Sequence, residues 1–123
     1  MSNYEKLNIR QNAVDLSVDV YKFMNSNVYI QKDFALKDQI QRASVSVASN
    51  IAEGADRGTQ KEFNRFLYIA RGSCSELKTQ MVIVKKLWYI DDVDFALFDK
   101  KIVDLHKMIN GMIQRVWKNI ENK

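Results

Sequence analysis

The chain has 123 residues, a formal net charge of +4, 46% hydrophobic residues and 28% charged residues. This size and composition predict one globular domain over residues 1–123 with a real core, and they exclude disordered and fibrous classes. The N-terminal stretch lacks the apolar centre of a signal peptide, and no apolar run could span a bilayer. We therefore expect a cytoplasmic protein that does not act at a membrane.

Few residues in the sequence interrupt helices, since there are four glycines and no proline. The single cysteine, Cys74, excludes an intramolecular disulfide. Because it falls on the apolar seam of a predicted helix, we interpret it as a small buried residue rather than a reactive thiol.

The first predicted helix runs from about Ile9 to Met24, where apolar residues recur at spacings of three and four. Residues 25–33 form a connector whose structure the sequence does not define. Asp33 is the predicted N-cap of a second helix that reaches Glu53. Its buried stripe contains Leu36, Ile40, Ala43, Val47 and Ile51.

A tight turn is predicted between the second and third helices. Gly54 lies where a helix C-terminus often adopts a left-handed conformation, which glycine reaches without steric cost. Thr59 and Glu62 have the spacing of a capping box for the next helix. Two long helices should therefore pack antiparallel as a hairpin.

The third helix, predicted from Thr59 to about Tyr89, has a heptad seam and a second apolar face. The seam consists of Phe63, Leu67, Ala70, Cys74, Leu77, Met81, Val84 and Trp88. Gly72 and Ser73 are expected to admit another backbone closely. Outside the seam, four apolar residues predict an interface between subunits, because such patches are uncommon on monomers: Tyr68, Ile69, Val82 and Ile83.

The fourth helix begins after the acidic cap Asp91–Asp94 and continues to the end of the chain. Its seam residues are Phe95, Phe98, Ile102, Leu105, Ile109, Met112 and Val116. Four amphipathic helices with short connections predict an all-α fold, an antiparallel up-down four-helix bundle.

Polar residues on the second helix raise the question of catalysis. Four of them are predicted to form a buried network with Arg57 of the turn and Glu76 of the third helix, which fixes the turn and the helix register. These four are Arg42, the candidate partner of Glu76, and Ser46, Asn50 and Glu53. We favour this structural interpretation over an active site because no nucleophile and base emerge as a pair. His106 is the only histidine, and no metal or cofactor motif is present. The sequence therefore predicts no enzyme activity, no metal and no cofactor.

Basic residues cluster on the third and fourth helices and are candidates for binding nucleic acid. They are Arg65, Arg71, Lys78, Lys85, Lys86, Lys100, Lys101 and Lys107. Such a run is often only a solvated helix face, and binding to phosphates needs no more than clustered cations, so the pattern is weakly specific.

The residues around the turn resemble a known family. The segment Asn50-Ile-Ala-Glu-Gly54, preceded by Gln39, Arg42 and Ser46 and followed by residues 70–73, is similar to the proteins of intervening sequences in bacterial 23S ribosomal RNA genes. The accessory variability proteins of diversity-generating retroelements belong to the same group. One departure is residues 26–32, where family members usually carry a Phe-Pro pair.

The resemblance implies an up-down bundle that assembles as a ring-like homopentamer and has no known enzyme activity. It also implies, for retroelement members, binding to a reverse transcriptase and to nucleic acid. Three hypotheses remain open at this stage. The chain is an accessory protein that binds RNA or RNA/DNA, a protein–protein scaffold, or a small enzyme acting through Arg42, Asn50 and Glu53. We favour the first.

Overall fold

The computed structural model of the protein describes residues 3–122. Its five helices are α1 (Asn3–Ser26), α2 (Val28–Gln31), α3 (Phe34–Ala55), α4 (Gln60–Lys86) and α5 (Asp92–Glu121). Four of them are long, and α2 is a single turn within the connector that the sequence left undefined. The predicted all-α fold is confirmed. Within the described residues, no helix combines the length and the apolar character that a membrane span requires.

The four long helices pack in a ring. α4 contacts α3 and α5, and α1 contacts the other sides of α3 and α5. Asn64, early in α4, donates a hydrogen bond to the Ile113 carbonyl late in α5, whereas Cys74 contacts the Ile102 carbonyl further back. Residue numbers therefore rise along α4 as they fall along α5. α4 and α5 are therefore antiparallel, as predicted.

The predicted seam forms the core. Phe63, Leu67, Ala70, Cys74, Leu77 and Met81 are all buried, as are the middle and final seam residues of α5. The prediction is wrong for Trp88, which is 85% exposed. α4 ends at Lys86 rather than at Tyr89, so Trp88 lies beyond the last helical turn and no longer follows the seam.

The turn between α3 and α4 differs from its prediction. Gly54 does not have a positive φ, and α3 continues through it to Ala55. Glycine is needed for a different reason: a Cβ at Gly54 would lie 2.7 Å from the Phe66 Cβ. The two helices thus come too close at this position for a residue with a side chain on α3. Thr59 does cap α4, accepting a hydrogen bond of 3.2 Å from the Glu62 N–H.

The narrow waist predicted at Gly72 and Ser73 is half right. Nothing lies within 4 Å of a Cβ built on Gly72, so this glycine admits no neighbouring backbone in the described chain. Ser73 does contact α3, because its hydroxyl lies 2.8 Å from the Ser46 hydroxyl. Asp33 caps α3 through the Leu36 N–H, as predicted.

Candidate nucleic-acid interface

Three of the basic candidates form a row on the side of α4 that faces α5. Arg71, Lys78 and Lys85 are seven residues apart, a spacing that returns a helix to nearly the same face. The Arg71 guanidinium donates a hydrogen bond of 3.0 Å to the Asn110 side-chain oxygen on α5. The Lys85 ammonium lies 4.6 Å from the centre of the Phe95 ring. Contacts with α5 therefore hold both ends of this row.

Lys78, in the middle of the row, opens onto a groove between α4 and α5 with a volume of about 350 Å³. We call it the basic groove, and its lining residues are Cys74, Ser75, Lys78, Thr79, Ile102, Val103, His106 and Lys107. None of the described residues that line it is a carboxylate. Its lining includes two ammonium groups, two hydroxyl groups from α4, and the side chains of Cys74, Ile102 and Val103.

The other basic candidates lie elsewhere. Lys100 pairs with Asp104 at 2.7 Å, and Lys101 reaches Asp19 of α1 at 2.7 Å. Arg65 lies 3.5 Å from Glu62 on the same helix. Lys86 is exposed at the last residue of α4. The eight candidates therefore do not form one surface.

Lys101 belongs to a second groove, on the opposite side of α5. We call it the acidic groove; its volume is about 320 Å³ and it is lined by Asn12, Asp15, Leu16, Asp19, Lys101, Asp104, Leu105 and Met108. Three of these residues are carboxylates and one is a cation. A phosphate backbone would meet net repulsion there.

A chain of hydrogen bonds joins Ser75, His106 and Asn110 at the basic groove. The Ser75 hydroxyl lies 3.3 Å from His106 Nε2, and Asn110 Nδ2 lies 3.2 Å from His106 Nδ1. Serine, histidine and asparagine in this order have the connectivity of a nucleophile, a base and an orienting group. The polarity of the hydrogen bonds decides whether they can act as such.

The polarity is opposite to that of a catalytic triad. Because the Asn110 oxygen accepts from Arg71, the Asn110 amide nitrogen faces His106, and an amide nitrogen only donates. The neutral ring therefore accepts at Nδ1 and has its proton on Nε2, which donates to the Ser75 hydroxyl. A general base would need a lone pair at that nitrogen, so this arrangement does not activate Ser75.

Two titratable groups in the groove have shifted pKa values. Burial lowers the pKa of His106 below its usual 6.5, and the nearby charges of Arg71 and Lys78 lower it further. His106 is therefore neutral at pH 7. Burial raises the pKa of the Cys74 thiol from 9.0 to about 11, with Lys78 acting in the opposite direction. Cys74 is fully buried, which confirms its interpretation as a core residue.

The six polar residues predicted to form one buried network are instead divided among separate contacts. Ser46 contacts Ser73 and accepts from the Asn50 amide at 3.1 Å. Arg42 pairs with Asp38 at 2.7 Å rather than with Glu76, and its side chain is 78% exposed. Glu53 pairs with Arg57 at 2.6 Å on the surface, and Glu76 accepts from Gln80. Partners four residues apart on one helix meet without desolvating either charge.

The proposed subunit interface on α4 is also divided. The Tyr68 hydroxyl accepts a hydrogen bond of 2.9 Å from the Trp117 indole N–H. The Arg71 guanidinium lies 4.6 Å from the centre of the Tyr68 ring. Val82 is half-buried, whereas Ile69 and Ile83 are 45% and 42% exposed. Ile69 and Ile83 are two heptads apart, so they remain as the apolar pair on the outward face of α4.

Sequence reasoning missed Ser75 and Thr79 as lining residues of the groove and Asn110 as the partner of His106. Only one signal pointed to them: His106 and Asn110 are four residues apart on a predicted helix. Ser75 and Thr79 carry no such signal. Within residues 3–122, no group of three or more histidine, cysteine, aspartate or glutamate residues could hold a metal ion.

The fold and the groove define a small helical-bundle protein with a basic surface between two of its helices. The chain belongs to the family of 23S rRNA-intervening sequence proteins, whose family model matches residues 5–111. No curated protein sequence matches it.

A solved structure with the same fold is a protein with unknown function from the S23 ribosomal protein family of Bacteroides thetaiotaomicron VPI-5482. The two chains are 20% identical with a TM-score of 0.80, and the match covers 89% of this chain and 98% of the other. At this identity the similarity establishes the fold alone.

Proposed function

We propose that this protein is a non-enzymatic accessory protein that binds RNA or RNA/DNA, and that the basic groove holds the phosphate backbone. One observation carries the proposal. Lys78 and Lys107 lie on the two sides of a groove that no described carboxylate lines, although α5 has five acidic residues elsewhere along its length.

The chemistry of the groove suits phosphate better than bases. The ammonium groups of Lys78 and Lys107 and the hydroxyl groups of Ser75 and Thr79 can all donate to phosphate oxygens. The remaining lining is largely apolar and offers few groups to read a base edge. Binding should therefore be tolerant of sequence and should weaken as salt rises, since each neutralised phosphate releases counterions.

We further propose that the protein acts as a homo-oligomer whose interface includes Ile69 and Ile83. Their exposure on the outward face of α4 supports this, and the open space beside Gly72 leaves room for a neighbouring subunit. The family resemblance implies a ring of five subunits. Such a ring would repeat the basic groove in every subunit. Replacing both isoleucines with glutamate should release folded monomers, as measured by light scattering; wild-type monomer at micromolar concentration would contradict the assembly.

The function is tested with a fluorescently labelled RNA hairpin and two matched double variants. Lys78→Ala/Lys107→Ala removes two lysines from the basic groove, and Lys100→Ala/Lys101→Ala removes two from the region of the acidic groove. We expect the first variant to bind more weakly and to reduce the log–log salt slope by about 0.7–0.9 for each phosphate that is no longer neutralised. The second variant should bind as wild type does.

Equal weakening in the two variants would mean that overall charge, not the groove, attracts RNA. If the wild-type protein does not bind at low salt, the nucleic-acid proposal fails. The protein–protein scaffold then becomes the better account, with the positive charge serving solubility.

A further inference from the structure

The end of α4 contains a tryptophan in a conformation that usually belongs to glycine. The Trp88 N–H donates to the Lys85 carbonyl at 3.0 Å, and the Tyr89 N–H donates to the Val84 carbonyl at 3.1 Å. These two hydrogen bonds define a Schellman motif with Trp88 at its left-handed position. Among residues 3–122, Trp88 is the one non-glycine residue with a positive φ, at 63°.

Burial within this chain does not offset the strain at Trp88. A residue with a Cβ pays a steric cost in the left-handed region, and bulky residues are uncommon there. The Trp88 side chain is nevertheless exposed almost entirely, so it gains little from packing in its own subunit. A strained backbone that presents a large aromatic ring to solvent is a feature that often marks a functional site.

Trp88 is part of a preformed groove at this end of the bundle. The groove has a volume of about 430 Å³ and is lined by Tyr29, Trp88, Tyr89, Ile90, Asp91 and Asp92; we call it the aromatic groove. The Tyr29 and Tyr89 rings are stacked, with centres 6.0 Å apart and planes 5° apart. The Asn27 amide donates to the Tyr89 carbonyl at 2.6 Å, which ties this turn to the α1–α2 connection.

The lining indicates the chemistry of an occupant. Asp91 and Asp92 are carboxylates, and none of the described lining residues is a cation. Aromatic faces beside carboxylates attract a guanidinium group, which stacks on rings and donates hydrogen bonds to carboxylate oxygens. The same carboxylates repel phosphate, which disfavours RNA and anionic lipids here.

We propose that the aromatic groove binds an arginine-bearing segment of a partner protein. Val93 and Leu97 extend the surface, because they are exposed and four residues apart on the first two turns of α5. Apolar residues of the same segment would contact them. This site is separate from the basic groove and does not depend on nucleic-acid binding.

The test uses the full chain and a fluorescein-labelled peptide of alternating arginine and glycine, measured by fluorescence anisotropy. A peptide of alternating glutamate and glycine serves as the opposite-charge control. We expect the wild type to bind the arginine peptide and not the glutamate peptide. Trp88→Gly should weaken binding at least tenfold and also raise the thermal midpoint, because glycine adopts the left-handed conformation without strain.

Two further variants separate the groove from general acidity. Asp92→Asn should weaken binding of the arginine peptide, whereas Asp15→Asn, in the acidic groove, should leave it unchanged. Trp88→Asn provides a second variant that tolerates the left-handed conformation and lacks the indole ring, and it should also weaken binding.

Several results would overturn the proposal. Equal binding by wild type and Trp88→Gly would show that the indole ring is not used. Equal weakening in Asp15→Asn and Asp92→Asn would show that the peptide recognises negative charge in general. A fall in thermal midpoint in both Trp88 variants would assign Trp88 to the fold of its own subunit. Dissociation of a wild-type assembly by Trp88→Gly, seen by sedimentation, would assign the groove to a second copy of the chain.

Discussion

The two grooves beside α5 have nearly the same size and opposite charge. The basic groove and the acidic groove, with volumes of about 350 and 320 Å³, are both built on one wall by α5. In the basic groove, between α4 and α5, the charged lining residues are Lys78 and Lys107. In the acidic groove, between α1 and α5, the three carboxylates Asp15, Asp19 and Asp104 outnumber the one cation, Lys101.

The difference shows why a count of basic residues is a poor guide to an anion-binding surface. Lys100, Lys101 and Lys107 are close in sequence, but the first two pair with carboxylates and only the third lines the basic groove. The net charge of +4 is therefore spread unevenly around the bundle. What matters for phosphate is which cations line a groove without carboxylates. Lys107 does so in the basic groove, and it also borders a neighbouring groove that contains Glu5.

The largest expected effect is that of substitutions in the hydrophobic core, which lies beneath both grooves. Ile102 lies at the base of the basic groove and Leu105 at the base of the acidic groove, and both are buried. Ile102→Ala and Leu105→Ala should each lower the free energy of unfolding by about 2–5 kcal/mol, because each leaves a cavity in the core. Urea denaturation followed by circular dichroism measures this, with exposed Gln114→Ala as the control. A large decrease in only one of them would show that the grooves do not rest on a common core.

The reactivity of the Cys74 thiol depends on the electrostatic potential at the basic groove. With its pKa raised to about 11, the thiol has about 100-fold less thiolate at pH 7.5 than a thiol with a pKa of 9.0. Alkylation by iodoacetamide should therefore be at least about 100-fold slower in the folded protein than in urea.

Removing the Lys78 charge should slow this alkylation further, because Lys78 lowers the pKa of Cys74. Lys101→Ala, in the acidic groove, should not change the rate. A faster reaction in Lys78→Ala would contradict this prediction and would show that the variant exposes the core to solvent.

The ion pair of the acidic groove should make a small contribution to stability. Lys101 and Asp19 lie 2.7 Å apart with side chains 52% and 36% exposed. A double-mutant cycle to alanine should give a coupling energy of about 0.2–1 kcal/mol that decreases with salt. Lys78→Ala, by contrast, should lower stability less than Lys101→Ala, because Lys78 forms no ion pair with the described residues. A larger destabilisation in Lys78→Ala than in Lys101→Ala would reverse the assignment of the two grooves.

The smallest expected effect is a pH dependence due to His106, which is only partly buried. Its pKa in the folded protein lies below the usual 6.5, so the unfolded chain binds more protons between the two values. The free energy of unfolding should therefore rise with pH through this window. The stabilisation should be complete above about pH 7 and should be lost as pH falls from 6.5 through the folded pKa, below which the curve levels off.

His106→Gln should flatten this part of the stability curve. Because His106 is the only histidine, NMR titration of its ring measures the pKa directly. A pKa above 6.5 would indicate that carboxylates, and not Arg71 and Lys78, dominate the field at this position.

Local rules predicted much of this structure. The heptad rows identified most of the buried residues of α4 and α5, although they missed Phe66 and Ile113. The caps Asp33, Thr59 and Asp91 identified the starts of three helices. These features depend on residues within a few turns of one another. The same rules failed at Trp88, since a Schellman motif with tryptophan in the left-handed position contradicts the usual preference for glycine.

The sequence by itself determined the number of long helices, the N-caps of three of them, the antiparallel pairing of α4 with α3 and α5, and the burial of Cys74. Tertiary structure decided which charges act together. Arg42 pairs with Asp38 rather than with Glu76, and Gly54 leaves space for Phe66 instead of forming a left-handed turn. The rotation of α5 placed Lys101 with Asp19 and Lys107 in the basic groove. Hydrophobic periodicity sets which face of a helix is buried, but the polar partners of the other faces depend on how neighbouring helices pack and on distances of a few ångströms.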